Sequence, residues 1–590
     1  MQKPVHGAEA RARRTRATVA EPPAWLVVLA PLVAAAIVHG GAITGFFAAD
    51  DIDFLSRAVG RDRTPWGWAR PLPGVLRWRL FTGWFGVHPL PHLALAWFLC
   101  AGSALLVARI VIRSGLGRST ALVASVLFAG SSVAYTSTHW ASGLGEVMAA
   151  AFALSALAIH LECRQGAPRA LAWLAGACAV AAVGSKESVL LLPLALLAFE
   201  RLVPGRGTGR SAMREIVWLG GLAAALVVFA WRVSPQVGGE AYALDFSPAV
   251  LVTNLATYAA WLVRLGDPIR DRSSVAQPAL LVQGLAVLAL WGLAAWLERK
   301  QAARPVSAGL SWFLVTLAPV IPLTGHTYLY YLVTPLAGVA IAAGVLLVRL
   351  AARTGSATAV LAITLLAYVG NEALRIHERQ TLAVGGIVVD RVSRESHLLR
   401  RVLADLRASH VAEGDTIVLV SPYPARAVDA THGETRPAGS GFSPQAYVPL
   451  VGALRGGSAL ALFIPGVTVL GMGDGIEPSW ERARAFRFEN DGSLTDLGRG
   501  AAALDSLASD YVAYGRWADA RVALDRLIEQ GADGPEVRWR LGLTLAQLGD
   551  EPGAFDQGRV LLARWPDSPR ARLLRENAAR AGNRDSLTRR

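Results

Sequence analysis

Long apolar blocks recur along the first two thirds of this chain, and they limit what it can fold into more than any other feature. The first runs over residues 24–47. Others lie near 90–112, 119–136, 145–161, 170–184, 188–203, 216–232, 277–297, 308–324, 328–349 and 356–371. Each is close to the ~20 residues that carry a helix across a bilayer. A water-soluble core does not need helices that are apolar over such lengths. Only 17% of the residues are charged and 53% are apolar, which excludes disorder. The three cysteines all lie in apolar blocks, so neither a disulfide framework nor a zinc site is expected.

Charge is divided unevenly. Residues 1–375 hold 31 Lys+Arg against 17 Asp+Glu, whereas the remainder is balanced at 27 against 27. The excess sits in short loops between apolar blocks, where the positive-inside rule accounts for it and nucleic-acid binding is not required. Arg11, Arg13, Arg14 and Arg16 precede the first block. That block is too long for a signal peptide and reads as a signal anchor. The N-terminus, residues 1–24, is therefore expected in the cytoplasm. Arg109, Arg113 and Arg118, then Arg164 and Arg169, then Arg299, Lys300 and Arg304 fall on the same side if there are about eleven spans in residues 25–375. The count works only if residues 249–265 form an interfacial or partly inserted helix. Everything after Arg375 is then expected outside.

The tail divides in two. Residues 376–500 combine an amphipathic helix at 392–408 with strand-like runs such as 416–420, and are expected to form a small α/β region. Residues 501–590 read as paired helices. Gly515/Gly549, Ala520/Ala554, Leu527/Leu561 and Pro535/Pro569 repeat with a spacing of 34, the period of tetratricopeptide (TPR) units. A generic stack of helical hairpins is the alternative.

Several polar motifs interrupt the apolar pattern. Asp50-Asp51-Ile52-Asp53 follows the first block. Arg70-Pro71-Leu72 comes next, in a loop that also carries Arg77, Arg79, Trp78 and Trp84, a composition suited to anchoring at a lipid surface. Then follow Gly86-Val87-His88-Pro89 with His92, His139-Trp140-Ala141-Ser142-Gly143 with Glu146, and Gly184-Ser185-Lys186-Glu187-Ser188. An acidic pair at a span end also serves as a helix cap, and Lys186-Glu187 also reads as an internal ion pair. His92 reads as a packed histidine. Tyr328, Tyr330 and Tyr331 also read as an interfacial belt.

Together these motifs resemble the GT-C superfamily of membrane glycosyltransferases, and within it the transmembrane-and-TPR O-mannosyltransferases. Pro335 to Gly338 and the C-terminal repeat have counterparts there as well. The sequence departs from that pattern in four places, one of them a much shorter TPR array. Leu93 to Leu95 stand where the family has Asn, His326 and the tyrosines stand where it has Arg, and residues 376–500 have no counterpart.

The resemblance implies transfer of a sugar from a polyprenyl-phosphate donor to a hydroxyl of a protein or glycan, outside the plasma (inner) membrane. An acceptor hydroxyl needs a base within hydrogen-bond reach. Asp50 is the first candidate, with Asp51 second. Asp51 alternatively orients the acceptor or holds a divalent cation, the one cofactor left open. Arg70, His139, Lys186 and His326 are candidates to face the donor phosphate, with Glu187 and Tyr330 beside them. The repeat is expected to engage the acceptor or a protein partner. Two rival readings are a transporter or flippase for a lipid-linked saccharide and a non-catalytic scaffold.

Overall fold

The computed structural model describes residues 21–64, 70–202, 211–233, 243–263, 278–297, 303–324, 326–354, 356–384, 387–420, 453–472, 483–489 and 491–580. The chain is mostly helical and divides into two compact units, Met1–Leu382 and Ala383–Arg590. The first unit extends past the expected end at Arg375 because the helix Ala357–Thr381 continues without a break.

Among the described residues of the first unit, six helical stretches are long and apolar enough to cross a membrane: Ala24–Thr44, Pro89–Arg113, Arg118–His139, Ala141–Arg164, Leu329–Ala351 and Ala357–Thr381. They mark the chain as a membrane protein. Arg169–Ser185, Pro248–Val263 and Pro278–Ala294 are shorter apolar helices. Burial sorts the bundle. The apolar windows of Arg118–His139 and Ala141–Arg164 are 89% and 83% buried, against 39% and 22% for Ala24–Thr44 and Ala357–Thr381. The first pair is therefore central and the second peripheral, with Trp25, Ile363 and Leu366 pointing outward.

Lipid is as apolar as leucine, so helices in it associate through close packing of small residues. The central helix Leu144–Arg164 buries Ala149, Ala150, Ala153 and Ala156. Helices Ala303–Leu317 and Val333–Ala351 meet at two glycines: a Cβ at Gly338 would lie 2.2 Å from the Gly309 carbonyl oxygen. This close crossing accounts for the glycine in the Pro335 to Gly338 motif. Helix Pro248–Val263 packs on the segment before the tyrosines, where the Asn254 amide donates to the carbonyls of Ile321 (2.7 Å) and Leu323 (2.9 Å).

The second unit opens with a short antiparallel hairpin of β1 (Ala383–Val384) and β2 (Ile387–Val388). The amphipathic helix Arg391–Ala408 follows, capped by Asp390, which accepts from the Ser393 N–H at 3.0 Å. A four-stranded sheet has the order β4 (Thr468–Met472), β3 (Thr416–Val420), β5 (Arg484–Phe488), β6 (Leu494–Arg499). β3 runs parallel to both β4 and β5, and β6 runs antiparallel to β5. Five helices then follow: Gly500–Ala513, Trp517–Glu529, Pro535–Gln547, Glu551–Arg564 and Pro569–Arg580. One apolar core joins Val418, Val420 and Ala485 of the sheet to Leu504, Leu507 and Leu524 of these helices. The sheet and the helices therefore share a core across residue 500. The residues spaced by 34 occupy matching places. Gly515 and Gly549 both turn the chain with positive φ, and Pro535 and Pro569 each open a helix.

Candidate functional site

The acidic motif sits on a tight entry to a short helix, Asp51–Ala58. Ala49 before it has φ +48°, a left-handed backbone conformation that is uncommon for alanine. That bend sends the two carboxylates to different environments. Asp50 is exposed, whereas Asp51 is fully buried. Asp51 Oδ2 accepts the Ala48 N–H at 2.9 Å, and Oδ1 accepts the Ser142 N–H at 2.7 Å and also the Ser142 hydroxyl. The Trp140 indole N–H donates to the Ala48 carbonyl at 3.1 Å. The Trp140-Ala141-Ser142 stretch thus clamps the backbone that carries Asp50. Burial pushes the Asp51 carboxyl up to about 7, against the opposing hydrogen bonds from Ser142 and Ala48 and the charge of Arg77.

A second cluster joins four segments distant in sequence. Gly145 makes the approach possible, since a Cβ there would meet the Ser185 carbonyl oxygen at 3.2 Å and the Pro73 ring at 3.5 Å. The Arg70 guanidinium forms a two-pronged pair with Glu187, with Nε 2.7 Å from Oε2. Lys186 Nζ lies 3.2 Å from Glu146 Oε1, and the Ser188 hydroxyl donates to Glu146 Oε2 at 3.1 Å. Lys186 also faces the rings of Tyr330 (5.1 Å) and Tyr331 (5.3 Å). His326 packs edge-on against Tyr328 at 4.5 Å, and Tyr328 stacks on Tyr330 at 5.0 Å. Arg70, Glu187, Lys186, Tyr330 and His326 are therefore brought together.

The internal pair expected between Lys186 and Glu187 does not form. Lys186 is extended (φ −158°, ψ 134°), and side chains diverge from consecutive residues of an extended backbone. Each finds a partner on another segment instead. Burial acts to raise the Glu187 carboxyl, but Arg70 and Lys186 prevail and hold it down at about 2. Glu146 lies in the first turn of its helix and is also the partner of Lys186.

His139 takes a different direction. Its Nδ1 lies 3.0 Å from the Thr138 hydroxyl and 3.1 Å from the Tyr135 carbonyl, and its ring stacks on Tyr135 at 4.4 Å. It packs toward His39 of the first helix, whose Nε2 is 3.1 Å from the Ser131 carbonyl. His139 therefore borders the Asp51 clamp through the chain, and its ring belongs to a packed polar seam.

Arg77 and Trp78 correct another expectation. The composition of their loop suits anchoring at a lipid surface, but these two residues are 4% and 0% exposed. The segment 71–85 folds back on helix Pro89–Arg113 and buries that face, leaving Trp84 outside at 68% exposed. Arg77 Nη1 is 3.0 Å from His92 Nδ1, and Nε donates to the Pro73 carbonyl at 3.1 Å. Trp78 stacks on Phe54 of the Asp51 helix at 5.6 Å. Burial lowers the Arg77 guanidinium to about 9, opposed by the charge of Asp51. Arg77 is the charged neighbour of the acidic motif that the sequence pattern concealed. Its place in an Arg/Trp-rich loop resembled surface composition, and only the fold-back distinguishes the buried face.

Among the described residues no group of three or more His, Cys, Asp or Glu is placed to hold a metal ion. Asp51 already directs both oxygens at N–H and O–H donors. Compared with models of known families and with curated proteins, the chain matches neither.

Proposed function

We propose that this protein is a polytopic membrane glycosyltransferase that moves a sugar from a polyprenyl-phosphate donor to a hydroxyl acceptor on the extracytoplasmic face. The observation that carries the reading is the clamped acidic loop. Asp50 is exposed on a backbone held by the contacts of Asp51, Trp140 and Ser142, so a carboxylate is presented at the surface on a fixed loop. A fixed base within reach of a hydroxyl is what glycosyl transfer asks of the protein. The Arg70, Lys186 and Tyr330 cluster supplies cationic and aromatic groups of the kind that receive a departing phosphate. In this reading Asp51 is a positioning residue. The GT-C and TPR relationship, eleven spans with the N-terminus inside, and a C-terminal unit outside that engages an acceptor or partner belong to the same proposal.

One observation favours the flippase alternative. Glu146 and Lys186 are 1% and 7% exposed, and Glu146 lies in a helix long enough to span, a placement typical of transport pathways. Purified protein in liposomes, given a radiolabelled polyprenyl-phosphate sugar and a cell-envelope extract as the source of hydroxyl acceptors, separates the two. Glycosyl transfer predicts loss of label from the lipid, abolished by Asp50→Asn. Movement of intact donor between leaflets, without cleavage, overturns the enzyme reading in favour of a flippase.

A further inference from the structure

At the end of the bundle where the arginine-bearing short loops lie, a groove of about 530 Å³ opens between helices Ala24–His39 and Pro89–Arg113. Its wall is apolar along most of its length, with Val28 and Leu105 among the lining residues. Gly102 also lines it, and a Cβ at Gly102 would meet nothing within 4 Å. At one end the lining changes to Arg109, Arg113 and Arg118.

These charges are incompletely neutralised. Arg109 and Arg113 share one carboxylate, Glu162, at 2.9 and 2.5 Å. Arg113 also donates to Gln165 at 2.8 Å. The other carboxylate at this end, Glu21, accepts the backbone N–H of Arg118 at 2.8 Å. Three guanidiniums against these two carboxylates leave one positive charge over, and no carboxylate is paired with the Arg118 side chain among the described residues. An apolar groove between membrane helices that ends in surplus arginine matches a lipid with a negative head group. A zwitterionic lipid carries its own cation and gains less.

We propose that this groove seats an anionic phospholipid, with its phosphate against Arg109, Arg113 and Arg118 and an acyl chain over Gly102. The site is at the opposite end of helix Pro89–Arg113 from His92, so it is separate from the candidate catalytic loop and does not depend on which reaction that loop performs.

The test uses the full chain, delipidated in detergent and offered phosphatidylglycerol and phosphatidylethanolamine together, with bound lipid read by native mass spectrometry. The wild type should retain phosphatidylglycerol in preference. The double variant Arg113→Gln/Arg118→Gln keeps Arg109 as the partner of Glu162, and should lose that preference by about fivefold per arginine. Gly102→Phe leaves every arginine in place and branches from a position where a Cβ meets nothing within 4 Å, so its ring occupies the groove; an unfolding midpoint equal to wild type checks that the fold is kept. This variant should lower retention of the anionic lipid as well. Equal retention of both lipids by the wild type overturns the proposal. So does unchanged phosphatidylglycerol binding in both variants, or displacement of bound phosphatidylglycerol when an equal amount of polyprenyl phosphate is added in a second arm.

Discussion

Replacing Arg70 by methionine tests how the two halves of the second cluster depend on each other. Arg70 and Glu187 meet fork to fork, with side chains 36% and 23% exposed. Fully exposed pairs contribute about 0–1 kcal/mol, and breaking a fully buried pair costs about 3–5 kcal/mol. The partial exposure places Arg70→Met between them, at a destabilisation of about 2 kcal/mol. Most of this comes from the half-buried Glu187 carboxylate left without its main partner, with Lys186 already committed to Glu146. Removing that charge as well should recover most of the loss, so Arg70→Met/Glu187→Gln should be more stable than Arg70→Met alone. The pH dependence follows from the same pair. Glu187 is depressed from an ordinary 4.5 to about 2. Its stabilising contribution is complete above about pH 4.5 and is lost as pH falls toward 2. Arg70→Met should shrink that acid sensitivity. The assay is a thermal or SDS unfolding series on detergent-purified protein, between pH 2.5 and 7. An Arg70→Met midpoint equal to wild type would refute the reasoning, as would a double variant no more stable than the single. Donor binding separates fold from function. If Arg70 also faces the donor phosphate, the double variant regains stability and still binds donor weakly.

Four further outcomes are expected. Asp50→Asn should reduce turnover by roughly 10²–10⁴, with only a small change in the unfolding midpoint because the residue is exposed; normal turnover would remove Asp50 as the base. Ser142→Ala removes a hydroxyl donor to buried Asp51 and should destabilise by about 1 kcal/mol, read as a lower unfolding midpoint than wild type. Gly338→Ala forces a methyl group against the Gly309 carbonyl oxygen and should cost about 1–3 kcal/mol, whereas Gly102→Ala, facing open space, should unfold like wild type in the same assay. A reporter active only outside the cytoplasm, fused after Arg590, should be active; activity from a cytoplasm-only reporter instead would reverse the topology.

Elements set by local pattern were legible in the sequence. The amphipathic helix and the strand at Thr416–Val420 appear where their periodicities place them, and the glycines and prolines spaced by 34 fall at matching turns and helix starts. Partner choice was not legible, because it depends on long-range packing. Lys186 and Glu187 are adjacent in sequence, yet their charges are satisfied by residues from other segments, Glu146 and Arg70. The same holds for the last apolar helix. Hydropathy marks its apolar part but not what its polar end does. There Glu372 accepts the Ser132 N–H at 2.7 Å and also its hydroxyl, while Arg379 lies over the Tyr135 ring at 4.2 Å. The gripped segment runs on through His139 to Trp140 and Ser142, which hold the loop bearing Asp50. The helix whose end leads into the C-terminal unit is therefore bonded to the segment that sets the position of the candidate base. Loosening that contact with Glu372→Gln, which keeps the shape but weakens the accepting carboxylate, should lower turnover with Asp50 itself intact. If turnover stays normal while the unfolding midpoint falls, the contact serves the fold alone.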